Sequence, residues 1–186
     1  MGTHNNKTNT SRQNIKKERI GSMNDGNSES GSDALDKKIK QAEQAQKKAS
    51  ELSDKYGYGT APKKTVASDG TIHTLSGWKP LDENSEFTRV STDDVINKSN
   101  DIGHKLRNAG ANDQGVPGRY NASHAEKQLS IISDKPIGIS QPMCTDCQGY
   151  FKSLAIGEGK EYVTADPNYI RIFSPDGTVN EIERQR

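Results

Sequence analysis

His124, Glu126 two residues on, and the pair Cys144 and Cys147 are the side chains in this sequence best suited to chemistry. Zinc takes imidazole nitrogen and thiolate sulfur in a tetrahedron, and a catalytic site leaves the fourth position to water. His124, Cys144 and Cys147 make three ligands. A metal so held lowers the pKa of water in the open position until it is a nucleophile near neutral pH. Glu126 is not a ligand in this reading. It is the general base and acid that takes the water proton and delivers it to the substrate. Two cysteines three apart suit a metal or a redox role better than a disulfide.

Such a site needs two helix starts brought to one end of a sheet. Ser123 is positioned to cap a helix over about 124–133, and the cysteine pair opens another over about 145–156. Ile137-Gly138-Ile139-Ser140 reads as a short buried strand between them, and Pro142 fixes the entry to the cysteine turn. The positive end of a helix favours thiolate over thiol. Upstream, Thr71 to Trp78 alternates like a strand, with a short second strand at Phe87 to Val90. Thr92-Asp93-Asp94 starts a helix over roughly 93–109 that Gly110 ends, and a glycine-rich loop, 110–121, leads into His124. Downstream, 162–165, 169–173 and 178–182 read as strands. Alternating strands and helices predict an α/β fold in three layers, a mixed sheet flanked by helices.

The chain has 186 residues, enough for one domain with a proper core, but only 29% are hydrophobic and the mean hydropathy is −0.97. Either part of the chain is therefore expected to be disordered or the core to be small. Residues 1–33 hold almost no large apolar side chain and read as a disordered leader. Residues 34–55 are strong helix formers, with Asp33 as candidate cap and Gly57 as stop. Their apolar stripe is thin, which predicts a solvated or loosely docked helix. The division expected is thus a leader at 1–33, a basic helix and linker at 34–64, and a zinc-dependent enzyme domain at 65–186. Residues 1–64 carry 13 Lys and Arg against 8 Asp and Glu, a net +5, whereas residues 65–186 carry 13 against 17, a net −4. A mildly acidic site-bearing region argues against a long duplex contact. No apolar run is long enough to span a membrane, and no Sec-type signal or membrane anchor is visible.

Each feature alone has an ordinary explanation. Ser123-His124-Ala125-Glu126 is also a capping box. Cys-x-x-Cys alone could be a thiol redox pair or half of a structural zinc site, with His73 or His104 as the fourth ligand. The joint pattern is far more specific: His-x-Glu, then a proline, then Cys-x-x-Cys, with a strand between the two blocks. It is the zinc-deaminase signature.

On these residues the chain resembles the cytidine deaminase superfamily. The block Gly118-Arg-Tyr-Asn-Ala-Ser-His124-Ala-Glu126-Lys-Gln-Leu129, with Pro142-Met-Cys144-Thr-Asp-Cys147-Gln-Gly-Tyr-Phe151, is similar to deaminase domains of bacterial polymorphic toxins, nearest to the branch named after a Xanthomonas toxin deaminase. The likeness runs from about Thr71 to Gly177. It implies a five-stranded mixed sheet flanked by helices, zinc on His124, Cys144 and Cys147, and Glu126 as proton shuttle. It also implies delivery into rival cells and a cognate immunity protein that blocks the site. Met143 departs from the commonest pattern, in which cysteine follows the proline directly. The lack of a large secretion module fits either a trimmed toxin domain or a short effector with a leader. Cytosine is favoured over adenine by the resemblance alone.

A nucleobase is deaminated outside a duplex, so the expected substrate is single-stranded or flipped-out DNA or RNA. Tyr120, Asn121 and Trp78 are candidate pocket walls, with Arg119 near a phosphate. The alternative is a free cytidine or nucleoside deaminase, which would be nearly indifferent to salt.

Overall fold

The computed structural model describes residues 29–185. Most of the expected leader therefore lies outside the described residues. The elements are α1 (Glu29–Tyr56), β1 (Val66–Ser68), β2 (His73–Leu75), α2 (Thr92–Asp101), a 3-10 turn (Gly110–Asp113), α3 (Arg119–Ala122), α4 (Ala125–Ile132), β3 (Ile137–Ile139), α5 (Thr145–Glu158), β4 (Tyr162–Ala165), β5 (Tyr169–Phe173) and β6 (Val179–Glu183). The six strands form one mixed sheet in the order β2-β1-β3-β4-β5-β6. Only β3 and β4 run parallel; the other neighbours are antiparallel. This is the expected α/β class, with six strands rather than five. The additional strand pairing is the short β1–β2 hairpin, in which Val66 faces Leu75 across the pair.

Strand alternation divides the core into two layers. Ala67, Ile137, Ile139, Tyr162 and Phe173 pack with Leu129, Tyr150, Phe151 and Leu154 of α4 and α5. Val163, Ala165, Ile170 and Ile172 point the other way, against Ile39 and Ala42 of α1. The sheet is thus sandwiched between α1 and the pair α4 and α5.

The solvated or loosely docked helix expected at 34–55 is a correction. Ala42, Ala45, Ala49 and Leu52 of α1 are buried, and the helix starts at Glu29, ahead of the candidate cap Asp33. Its stripe is thin because the helix lies close on the sheet. A Cβ added at Gly138 would come within 1.8 Å of the Gln46 backbone nitrogen. Glycine in β3 and alanine on α1 are what allow that approach. Gln46 Nε2 then donates to the Ile139 carbonyl at 3.3 Å. The region set apart as a basic helix and linker therefore contributes one layer of the fold.

A second correction concerns α2, which ends at Asp101 and not near residue 109. Gly103 takes φ +74° just past the end. His104 N donates to the Ser99 carbonyl at 2.8 Å and Gly103 N to that of Asn100 at 3.2 Å. Those two bonds are a Schellman stop. The strand expected at Phe87 to Val90 is only an isolated bridge between Thr74 and Thr88. Gly57, with φ +70°, does end α1.

Candidate active site

His124 stands in extended conformation at a break between α3 and α4, where it is the N-cap of α4. Ser123 lies one residue too early to cap that helix. It closes α3, and its hydroxyl donates to the Tyr120 carbonyl at 2.7 Å. The capping box is therefore not formed, and Glu126 makes no hydrogen bond back to Ser123. Relieved of capping, the His124 imidazole faces the cysteines. Its Nδ1 lies 3.3 Å from Cys147 Sγ and 3.4 Å from Cys144 Sγ. Cys144 is the N-cap of α5, where its sulfur accepts from Cys147 N at 3.4 Å.

The three ligand atoms lie within 4.8 Å of one another. Bond lengths of about 2.3 Å to sulfur and about 2.0 Å to nitrogen put tetrahedral zinc ligands roughly 3.5–3.8 Å apart. One imidazole nitrogen and two sulfurs at this spacing fit zinc. Without a metal, only one of the three groups is held toward its ligand form. The Cys147 thiol, donating to it, and His124 hold the Cys144 thiol down to about 4, while complete burial pushes Cys147 up. A divalent cation would displace the protons that Cys147 and His124 keep.

Glu126 is only 3% exposed, and its Oε2 is buried with no hydrogen-bond partner. Among the described residues only Thr164 Oγ1 and Arg171 Nε share that state. Arg171 Nε still lies 3.5 Å from Glu181, so Glu126 Oε2 is the buried acidic oxygen without a hydrogen bond, with only the electrostatic influence of His124 and Lys127 beside it. A buried polar atom without a partner costs roughly 1–3 kcal/mol, and more when charged.

The surrounding charges are all used. Lys127 is fully buried, donates to the Asn121 carbonyl at 2.8 Å and pairs with Asp146 of the cysteine turn. Asp146 also accepts from Arg107 N at 3.0 Å and lies 3.4 Å from His104 Nε2. Burial alone would raise the Asp146 carboxyl, but His104 and Lys127 hold it well below the usual carboxylate range. This cluster clamps the His124 helix to the Cys144 helix. Gln128 secures the loops in front: its Nε2 donates to the Leu75, Gly77 and Ser123 carbonyls, and its Oε1 accepts from Arg89 and Val90 N. Asp166 fixes the approach to the cysteines by accepting from Met143 N at 3.0 Å and from Arg171 at 2.6 Å. Lys127, Gln128, Asp146 and Asp166 escape a search for reactive side chains. The signal available was a lone Lys among apolar positions of a short helix, with an acid inside the cysteine turn.

His73 and His104 stay apart from the metal cluster. His73 Nδ1 bonds Ser68 Oγ at 2.9 Å, and His104 serves Asp146. Of the candidate wall residues, Tyr120 is 44% exposed, with its ring edge-on to the His124 ring at 5.4 Å. The Arg119 guanidinium covers the Trp78 ring at 4.6 Å. Asn121 is buried, and its Nδ2 is committed to the Arg107 carbonyl at 3.0 Å.

Residues 73–130 match the family model described as single-strand DNA deaminase toxin A, C-terminal. Over that stretch, 58 of the 186 residues, the chain is similar to a bacterial toxin deaminase domain. The match spans β2 to α4 and so includes His124 and Glu126, while Cys144 and Cys147 lie beyond its end. The name is that of a single-strand DNA deaminase toxin, where the Xanthomonas-type branch was the nearest resemblance in sequence. No curated protein matches the chain. Among the described residues, no helix is long and apolar enough to cross a membrane.

Proposed function

We propose that the domain is a zinc-dependent hydrolase converting cytosine to uracil in single-stranded DNA, delivered as a toxin into target cells and held in check in the producer by a cognate immunity protein. The observation that carries this reading is the unpartnered Glu126 carboxylate oxygen, buried beside one imidazole and two sulfurs spaced for a metal. The single-strand preference draws on the name of the matching family and on the acidic balance of residues 65–186, which suits a short strand better than a duplex groove.

His124, Cys144 and Cys147 hold the metal. Bound zinc supplies the Lewis acidity that makes water a nucleophile near neutral pH. Glu126 Oε2 accepts a proton from the attacking water and passes it to the ring nitrogen of the base, and the amino group leaves as ammonia after a second proton transfer through the same carboxylate. Water and cytosine are thereby converted to uracil and ammonia, with no redox change. Tyr120 stands at the mouth, where its exposed ring flanks the flat base. Asn121 contributes through its amide oxygen, which has no hydrogen bond among the described residues. Trp78 and Arg119 engage the strand outside the pocket.

The test is conversion of single-stranded DNA, RNA, duplex DNA and free cytidine by the purified zinc-loaded chain, read by sequencing and mass analysis. Turnover of single-stranded DNA that weakens steeply with salt supports the proposal. Salt-indifferent turnover of free cytidine alone would replace it with a nucleoside deaminase.

A further inference from the structure

Next to the metal cluster lies a groove of about 620 Å³ whose lining includes Trp78, Pro80, Leu81, Arg89, Val116 and Arg119. Its volume is within the roughly 300–1,000 Å³ typical of ligand pockets. Its place is fixed by two contacts. Gly77 N, preceding Trp78, donates to the Ser123 carbonyl at 3.0 Å, immediately before His124. Arg119 precedes Tyr120 in the same helical turn, and the Tyr120 ring touches His124. The groove and the His124 site thus both draw on α3, the one through Arg119 and the other through Tyr120.

The chemistry of the groove is that of a nucleotide. Arg119 lies over Trp78, and among the described residues its guanidinium makes no hydrogen bond or ion pair within the protein. Its five N–H donors are therefore available to a phosphate. Arg89 bonds only neutral acceptors, the Leu75 and Lys79 carbonyls and Gln128 Oε1. Against these two cations the lining has one carboxylate, Asp93. The groove is thus locally positive in a region whose net charge is −4. Because Arg89 and α4 meet at Gln128, the groove is held in fixed register with His124 and Glu126.

We propose that this groove is the subsite for the nucleotide adjoining the target cytosine. Its phosphate is held by Arg119 and its base stacks against Trp78, so the groove sets which neighbouring base is preferred. The proposal rests on the reading of the domain as a single-stranded DNA deaminase; a free nucleoside has no neighbour to place there.

The experiment uses the zinc-loaded full chain and a pool of single-stranded oligonucleotides, each with one cytosine flanked by every combination of bases. Arg119→Gln and Trp78→Leu are compared with the conservative Arg119→Lys and Trp78→Phe. The first pair should raise KM about 5- to 150-fold, the span of one lost base stack, and flatten the preference on one side of the cytosine. Arg119→Gln should also reduce the log–log salt slope of binding by about 0.7, one phosphate contact, and Arg119→Lys should restore it. Should Trp78→Leu not fold, the half-exposed Arg119 pair still decides the matter. A folded, zinc-replete Arg119→Gln protein with unchanged KM, preference and salt slope would overturn the proposal. So would a loss confined to kcat. Wild-type protein that converts no single-stranded DNA would overturn the underlying reading and the groove with it, and is recognised before any variant is made.

Discussion

Glu126→Gln separates catalysis from stability in opposite directions. Glu126 is 3% exposed and its Oε2 has no hydrogen-bond partner, so the native fold holds that buried oxygen only through the electrostatic influence of neighbours such as His124 and Lys127. Gln has the same shape and no charge. Relief of an unsatisfied buried group is worth roughly 1–3 kcal/mol. The positive charge of bound zinc already offsets part of that, and the Gln amide needs partners of its own, so the gain expected in the zinc-loaded protein is about 1 kcal/mol. For a domain of this size that is a rise of about 2–4 °C in Tm. The rate should fall by ~10²–10⁴-fold, because the amide cannot take up a proton. Paired thermal melts and single-stranded oligonucleotide turnover, with zinc content measured on both proteins, make the test. A capping role would predict the reverse, near-normal turnover with neutral or reduced stability. A Glu126→Gln protein that deaminates at the wild-type rate, or that loses more than about 1 kcal/mol, would refute the reasoning.

Removing a ligand should remove the metal: His124→Ala and Cys144→Ala are expected to lose bound zinc and much stability, and a full zinc equivalent by elemental analysis of either protein would exclude that residue from the ligand set. Asp146→Asn leaves Lys127 buried and unpaired, which should cost about 3–5 kcal/mol in urea unfolding, while the double change Lys127→Met with Asp146→Asn should cost less than the two single changes together. Because the folded-state Asp146 carboxyl is held low, against burial, by His104 and Lys127, its contribution is complete above the ordinary carboxylate pKa of about 3.9 and is lost as pH falls through the folded value. The Asp146→Asn unfolding free energy should therefore be flatter below about pH 4 than that of wild type, and parallel curves would contradict the assignment. A chain shortened to begin at residue 65 loses the layer that covers Val163, Ala165, Ile170 and Ile172, and should aggregate or bind hydrophobic dye, whereas one beginning at residue 29 should melt like the full chain.

The meeting of His124, Cys144 and Cys147 was legible because metal chemistry restricts residue types severely: one His and the chain's two cysteines had to come together, and the helix–strand–helix between them is short. The strands β4 and β5 were legible from their alternation and bounding turns. Three features were hidden for physical reasons. Val66–Ser68 is too short to show a period and is a strand only because Leu75 and Ile139 flank it. Gly103 and Gly110 both have positive φ, and only the bonds from Gly103 and His104 reveal which one stops α2. The stripe of α1 looked weak because alanine scores low for hydrophobicity. Its value lies in small size, opposite Gly138, where the helix backbone rests on the strand.

A charged side chain here is informative by whether it is paired. Lys127 with Asp146, Arg171 with Asp166, and Asp113 with the backbone nitrogens of Ala109, Gly118 and Tyr120 are buried and paired. Each ties one segment of the site to another, which is positioning work. Glu126 and Arg119 differ. One is buried without a partner for Oε2, and the other is stacked on an aromatic ring with its donors uncommitted. A fold optimised only for stability would have neutralised or paired both, since an unpaired buried polar group weakens it and an uncommitted cation adds little. Glu126 near His124 and the cysteines, and Arg119 in the groove, are what the proposed reading would require: a proton acceptor where a base would react, and a cation where a strand's backbone would pass.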